Sequence, residues 1–478
     1  MTTAIPYVNA NPHCGHALEY VMADVVHRYH EIKGDEVFFV SGADENALKN
    51  VQAAEKVGMK PAEFLDKYAK VFQDFYSLLE ADLDEFRRGT DQVHHWPGVQ
   101  ELWKLADKNG DIYKKKYSGL YCVGCESFKT EADLVDGKCP DHNKEPELVE
   151  EENYFFKLSN YQTKLIELIE SDTLKIVPTK RKNEILSFIK MGLEDFSISR
   201  SNERARGIGV PVPGDENQKV YVWFDALNIY QTAVGWGYNK TLYEKWWPAD
   251  LHIIGKDIIR FHAVYWPAML LSAKLQLPKS LLVHGFITSG GKKMSKSIGN
   301  VVDPYAMIEK FGVEAFRYYL LSQIPTQDDG DLTEERMAGV YVSDLQNGLG
   351  NLVARVSTLC EKYNLNLGEV PSERNGLMDD IAPYMDTYQF DQALKTIWGN
   401  VAGLDRYMSE QRPWQQELSD ANKTLSNIVI GMTGVRGIRD IAEALRPFMP
   451  ETAEKIAQQF NGEKIVKGES LFPRLEKS

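Results

Sequence analysis

Thr2-Thr3-Ala4-Ile5-Pro6-Tyr7-Val8, then Asn9-Ala10-Asn11-Pro12, then His13-Cys14-Gly15-His16 is the stretch on which the fold turns. Its first part reads as a strand and its second as a loop. From His13 onward Leu18, Val21, Met22, Val25 and Tyr29 recur at helical spacing. A second β-rich run, Glu36–Ser41, ends in Gly42-Ala43-Asp44. Strand, loop, helix, strand is the opening of a βαβ unit, and ligands of such sheets sit at the carboxyl ends of the strands.

Working outward, helices are expected over Ala62–Leu83 and Trp96–Asn109. From about Asp111 the texture changes to Lys114-Lys115-Lys116, a cysteine cluster and short strand-like pieces, closing at the Gly/Pro-rich stretch Gly207–Gly214. This reads as an insertion. The run Val220–Phe224 is expected to resume the sheet, and Leu251–Ile254 and Leu281–Val283 to add buried strands, with helical Ile258–Lys274 between them. After Lys293 the pattern is almost wholly helical to about residue 460, punctuated by Gly348, Gly350, Pro371, Pro383, Pro413 and Pro447. An α/β domain split by an insertion and followed by a helical domain accounts for this order.

A chain of 478 residues exceeds what one hydrophobic core serves. With 43% hydrophobic and 26% charged residues it has the composition of a globular protein. Fifty-five basic against 69 acidic residues give a net charge of −14, which excludes a generic polycation but leaves room for a local nucleic-acid-binding stripe. No apolar run approaches the roughly 18 residues that span a bilayer. No signal or transit segment precedes the first strand, so a cytoplasmic location is expected. Five cysteines do not make a disulfide framework, and the clustering of three points to metal.

His13-Cys14-Gly15-His16 falls at a strand-to-helix junction, where backbone amides and the helix dipole favour phosphate. Two imidazoles three positions apart can donate toward its oxygens, and Gly15, lacking a Cβ, lets a flat base approach the backbone. Lys293-Met294-Ser295-Lys296-Ser297, between Ser289-Gly290-Gly291-Lys292 and Ile298-Gly299-Asn300, reads as a mobile, glycine-flanked loop whose lysines can bear on a polyphosphate. Cys122-Val-Gly-Cys125 and Cys139-Pro-Asp-His142 are two ligand pairs at the spacing of a tetrahedral Cys3His site. Four ligands leave no open coordination place, so one structural zinc, holding a small subdomain too poor in apolar residues to fold alone, is expected.

The pairing of HCGH with a distant KMSKS resembles the HIGH and KMSKS signatures of class I aminoacyl-tRNA synthetases. Within that class Thr3–Asn9, Tyr221–Ala226, Gly255–His262, His284-Gly285-Phe286 and Arg412-Pro413-Trp414 look like methionyl-tRNA synthetase. Cys14 stands where an aliphatic residue is frequent, and Glu45-Asn46-Ala47 follows Asp44 where Glu-His-Gly is frequent. The resemblance implies an α/β, Rossmann-type parallel-sheet catalytic domain split by a zinc-knuckle connective insertion and followed by an all-α anticodon-binding bundle. The implied boundaries are residues 1–110 and 218–285 for the catalytic halves, 111–217 for the insertion, 286–345 for the KMSKS loop and stem-contact region, and 346–478 for the bundle.

The same resemblance implies activation of L-methionine by ATP and transfer to tRNA(Met), initiator included. His13, Gly15, His16, Asp257, Lys293 and Lys296 are the expected ATP-binding residues, with His13, His16, Lys293 and Lys296 catalytic. A methionine site needs an anion for the ammonium and a polarisable apolar slot for the thioether. Asp44 matches the first, and Ala4, Ile5, Tyr7, Trp223, Tyr230, Phe261 and His262 match the second. Tyr230 and His262 are expected to touch the sulfur through their polar tips. Asn351 and Arg355 share a helix face and, with Trp414, match the readers of the CAU anticodon. Magnesium is expected with ATP, and a monomer in solution. The alternatives are a catalytically inactive tRNA-binding relative, which the intact histidines and lysines disfavour, and another class I enzyme such as the cysteinyl one. Leucyl, isoleucyl and valyl enzymes carry an editing insertion longer than the one here.

Overall fold

The computed structural model describes residues 1–125, 127–140, 143–294, 299–367, 376–432, 435–462 and 464–475. The chain divides into two compact units. One comprises residues 1–12, 38–77 and 82–283, and the other 13–37, 78–81 and 284–478.

The first unit is built on a six-stranded sheet of β1 (Thr2–Thr3), β2 (Val40–Ala43), β3 (Glu85–Arg88), β4 (Lys175–Val177), β5 (His252–Gly255) and β6 (Ser280–His284), in the order β3-β2-β1-β5-β6-β4. The pairings β1/β2, β2/β3, β1/β5 and β4/β6 are parallel. Every residue of β2, β5 and β6 is buried, as expected of a parallel sheet covered on both faces. The strand order reverses between β1 and β5, and at such a switch point a crevice opens beyond the carboxyl ends of the strands. Ala4–Tyr7 leave β1 there, and Lys256–Ile258 leave β5.

Three strand expectations need correction. Thr2–Val8 pairs only over Thr2–Thr3, because Pro6 has no N–H for the ladder; pairing resumes as a single bridge, Tyr7 to Asp44. Glu36–Ser41 shifts to Val40–Ala43. Val220–Phe224 does not rejoin the main sheet. Asp215–Val220 pairs antiparallel with Ser199–Ser201 and Pro211–Val212, and Val222–Ala226 is a short helix. Its residues are buried on every side, so the run has no periodicity to separate helix from strand, and packing decides.

The insertion is an antiparallel sheet dominated by the long pair Ile112–Cys122 and Glu147–Phe156, flanked by Ser127–Lys129 and Phe196–Ser197. Cys122 is the last residue of the first long strand, which delivers the cysteine cluster to one end of that sheet.

The second unit contains α1 (Cys14–Ile32), a hairpin of Ile287–Ser289 with Lys292–Lys293, and helices that include α2 (Val313–Gln323), α3 (Asn351–Lys362) and α4 (Phe390–Gln411). Arg317 of α2, 0% exposed, ties it together. Its guanidinium donates to Asp24 Oδ2 on α1 at 2.6 Å, to the Leu79 and Phe448 carbonyls at 2.9 Å, and to the Pro447 carbonyl at 3.2 Å. Among the described residues no helix is long and apolar enough to cross a membrane.

Candidate active site

At the rim of the switch point in the first unit, the bridge to Tyr7 sets Asp44 at the end of β2. Asp44 is 2% exposed, its N–H donates to the Pro6 carbonyl at 2.9 Å, and its own carbonyl accepts from Asn50 Nδ2 at 2.8 Å. A single aromatic cluster continues from Tyr7. Its ring meets Trp223 edge-on at 6.2 Å, and Trp223 stacks on Phe261 at 3.7 Å with an interplanar angle of 4°. Trp223 also meets His262 edge-on at 6.4 Å, and His262 lies 5.6 Å from the Tyr230 ring. Ala4 and Ile5 pack against the same core. Of the residues matched to a methionine pocket, Tyr7, Trp223, Tyr230, Phe261 and His262 are therefore brought into one cluster, with Asp44 bridged to Tyr7. Asp257 is exposed just beyond β5.

The polar tips of this pocket are paired with one another. His262 Nδ1 lies 3.0 Å from the Ile258 carbonyl, which can only accept, so Nδ1 carries the proton. Burial pulls the His262 pKa down to about 4, leaving the ring neutral with a bare Nε2. The Tyr230 hydroxyl, 2.7 Å from Nε2, therefore donates to it. In this arrangement the Tyr230 proton is committed to His262, and the His262 proton to the Ile258 carbonyl.

A buried network here was not foreseen. His95, fully buried, contacts Asp225 Oδ1 through Nε2 at 2.6 Å and Thr232 Oγ1 through Nδ1 at 2.8 Å. Asn46 Nδ2 donates to Asp225 Oδ2 at 2.6 Å and to the Gly89 carbonyl at 2.9 Å. Asn46 thus moors the loop that follows Asp44 to the helix that carries Trp223. The signal was present: a carboxylate inside Val222-Trp223-Phe224-Asp225-Ala226 must find partners if that apolar run is buried.

In the second unit His13 is the N-cap of α1. Its Nδ1 accepts from the backbone N–H of Gly15 at 3.1 Å and of His16 at 3.4 Å, and His16 Nδ1 accepts from the His13 N–H at 3.1 Å. This is a capping box made of imidazoles. The amides expected to face phosphate are satisfied by the histidine itself. The consequence is electronic: a ring nitrogen that accepts carries no proton, so each neutral ring holds its proton on Nε2. The rings stack at 3.8 Å, 17° from parallel. Burial first, then His13 and His284, hold the His16 pKa well below its usual value, so its ring is neutral at pH 7. A Cβ on Gly15 would lie 2.9 Å from His13 Cε1, so this glycine makes room for the capping ring.

Gly290 and Gly291, with φ of +63° and +71°, form the two-residue turn of the hairpin that leads into Lys-Met-Ser-Lys-Ser, while residues 295–298 of the loop expected to be mobile lie outside the described residues. Asp331 Oδ1 accepts from Thr288 Oγ1 and the Gly291 N–H, both at 2.8 Å, and fixes the turn. Lys293 pairs with Thr288 and is exposed. Lys296 lies outside the described residues. On the far side of that segment the Val302 carbonyl accepts from Cys14 Sγ at 3.2 Å, which joins the start of α1 to the chain leaving the second signature.

The cysteine cluster is assembled as well. The sulfurs of Cys122, Cys125 and Cys139 lie within 4.8 Å of one another, with Cys125 and Cys139 3.5 Å apart. Three soft thiol donors at that separation suit a tetrahedral metal. His142 lies outside the described residues. In the helical region Asn351 and Arg355 project from α3 one turn apart. Arg412, left-handed at φ 48°, ends α4, and the turn Pro413–Gln415 holds Trp414 outward, 41% exposed.

Comparison with known proteins gives this arrangement its class. The family model described as tRNA synthetases class I (M) matches residues 1–147 and 133–357. The fold and both signatures are thus those of a class I aminoacyl-tRNA synthetase. A methionine–tRNA ligase of Clostridium acetobutylicum is 40% identical, over 100% of this chain and 78% of its own. One from Brucella suis is 40% identical over 95% and 90%. The methionyl-tRNA synthetase of Mycobacterium tuberculosis, solved in complex with methionyl-adenylate, superposes with a TM-score of 0.91 at 36% identity over 99% of both chains. The chain belongs to the methionyl-tRNA synthetase family.

Proposed function

We propose that the chain activates L-methionine with ATP and charges tRNA(Met), including the initiator. The observation that carries the reading is the imidazole capping box, with the Cys14 thiol bonded to the chain leaving the KMSKS segment. One carboxylate oxygen of methionine attacks the α-phosphorus, and the bond to the bridging oxygen breaks to release pyrophosphate. The nucleophile is already an anion, so no general base is needed, and catalysis is positioning plus stabilisation of charge. His13 and His16 donate through Nε2 to phosphate oxygens. Asp257 binds the ribose, Gly15 leaves space beside the base, and Lys293 and Lys296 neutralise the leaving pyrophosphate. Magnesium accompanies the ATP. Asp44 binds the ammonium, while Ala4, Ile5, Tyr7, Trp223, Tyr230, Phe261 and His262 enclose the side chain. The terminal adenosine 2′-OH then attacks the carbonyl carbon and displaces AMP. Asn351, Arg355 and Trp414 read the anticodon, and the protein acts as a cytoplasmic monomer.

Pyrophosphate exchange into ATP, run with each of the twenty amino acids, tests this reading. Dependence on methionine is expected, and dependence on cysteine or leucine would overturn it.

Cys122, Cys125 and Cys139 are proposed to hold one structural zinc, with His142 as the fourth ligand. When bound it would cross-link the end of the long insertion strand. Cys139→Ser is expected to lower zinc content well below one per chain, read by elemental analysis. A full complement in that variant would refute the ligand set.

A further inference from the structure

In the methionine reading of the first unit's pocket, Asp44 holds the ammonium at one end, and Trp223 and Tyr230 wall the side chain at the other. These three residues lie on separate elements: the loop after β2, the short helix Val222–Ala226 and the short helix Ile229–Thr232. Each stands two positions before a member of one buried network, namely Asn46, Asp225 and Thr232. Asp225, 1% exposed, is the centre of that network. Its Oδ2 accepts from Asn46 Nδ2 at 2.6 Å, and its Oδ1 lies 2.6 Å from His95 Nε2, whose ring contacts Thr232 Oγ1 through Nδ1 at 2.8 Å. A second acceptor, the Gly89 carbonyl at 2.9 Å, fixes which way the Asn46 amide faces.

Burying a carboxylate incurs a desolvation cost that an apolar filler of the same volume would avoid, so cohesion alone does not call for Asp225. What a charge-assisted hydrogen bond adds is a fixed length and direction. Apolar contact is non-directional, whereas a hydrogen bond weakens steeply once it is bent. Length is what a pocket with an ammonium at one end and a thioether at the other must measure, because one methylene in an apolar slot is worth only about 10- to 200-fold in kcat/KM. We propose that Asp225 is a positioning residue that, through Asn46, sets the distance between Asp44 and the Trp223 wall, so that the pocket measures side-chain length. The inference rests on the methionine reading of this pocket and extends its specificity to residues outside the set that encloses the side chain.

The test is pyrophosphate exchange by the full chain with methionine or with ethionine, which is one methylene longer, compared as kcat/KM. Asn46→Ala frees the loop that carries Asp44 and leaves the His95–Asp225 pair in place. It is expected to raise the methionine KM, keep the ATP KM within about twofold, and lower the methionine-to-ethionine ratio about tenfold. Asn46→Leu, nearly isosteric, fills the same space without the bond and should do the same. An equal loss with both amino acids is what a smaller folded fraction gives, and an unchanged ratio in both variants overturns the proposal. A raised ATP KM also overturns it, because the disturbance would then not be confined to the amino-acid pocket. If neither variant folds, as read by thermal unfolding, the bond holds the fold rather than the pocket and the proposal falls. If the unaltered protein shows no methionine-dependent exchange, the methionine reading falls and the inference with it. Methionine-dependent exchange that treats ethionine alike, or a preference that survives both variants, sinks the inference alone.

Discussion

Replacing His16 by phenylalanine lowers methionine-dependent pyrophosphate exchange by on the order of 10²–10³, with the KM for methionine held within a few-fold. His16 accepts the His13 N–H through Nδ1 at 3.1 Å, so the proton on Nε2 is the one it can offer to an oxyanion. Phenylalanine preserves the stack on His13 but removes both functions, leaving phosphate charge unbalanced only as the transition state forms. Burial keeps the neutral ring in use across the physiological range, so the kcat profile should show no inflection near pH 6.5 that disappears in this variant. A variant that raises the methionine KM in proportion to its loss of rate would assign His16 to ground-state binding instead.

Arg317→Met is expected to cost about 3–5 kcal/mol of stability, read as a shifted urea midpoint at unchanged slope. The variant loses the charge that balances Asp24, whose side chain is 0% exposed, and leaves three backbone carbonyls without their donor. Arg28, 2.8 Å from the same Asp24 oxygen, offsets part of the deficit. Adding Asp24→Leu removes the stranded carboxylate and should recover part of the loss, because a buried pair replaced as a whole costs less than one broken in half. If the double variant is less stable than the sum of the singles predicts, the charge pair is not what holds α1 to this unit. Because α1 carries His13 and His16, exchange activity should be lost at the same urea concentration as the α1 signal.

How far these sites were legible in the sequence depended on how local their causes are. His13 and His16 are three residues apart on one helical turn, and Cys122 with Cys125 on one knuckle. Such spacing translates directly into geometry. A second demand on Gly15 was not legible, because the obstacle a side chain would meet there is the His13 ring, whose position follows from a capping bond. Val220–Phe224 was misread because burial on all sides erases periodicity. His95, Asp225 and Asn46 are scattered along the chain and meet only once the sheet has formed. Nothing in a linear pattern announces their hydrogen bonds except the need of a buried carboxylate for partners.

By itself the order of residues determined the βαβ opening, the insertion, the helical remainder, both signatures and the Cys122–Cys125 pair, because each is written in patterns local to the chain. Tertiary structure alone decided three things. Mutual satisfaction of polar groups set the protons of His13, His16, His262 and Tyr230. Packing gave α1 to the second compact unit, through Arg317 and backbone carbonyls hundreds of residues away. The packing of α3 and α4 set the Asp405 carboxylate against Arg355. Each is a long-range pairing of groups that water would otherwise satisfy, and a one-dimensional pattern contains no term for it.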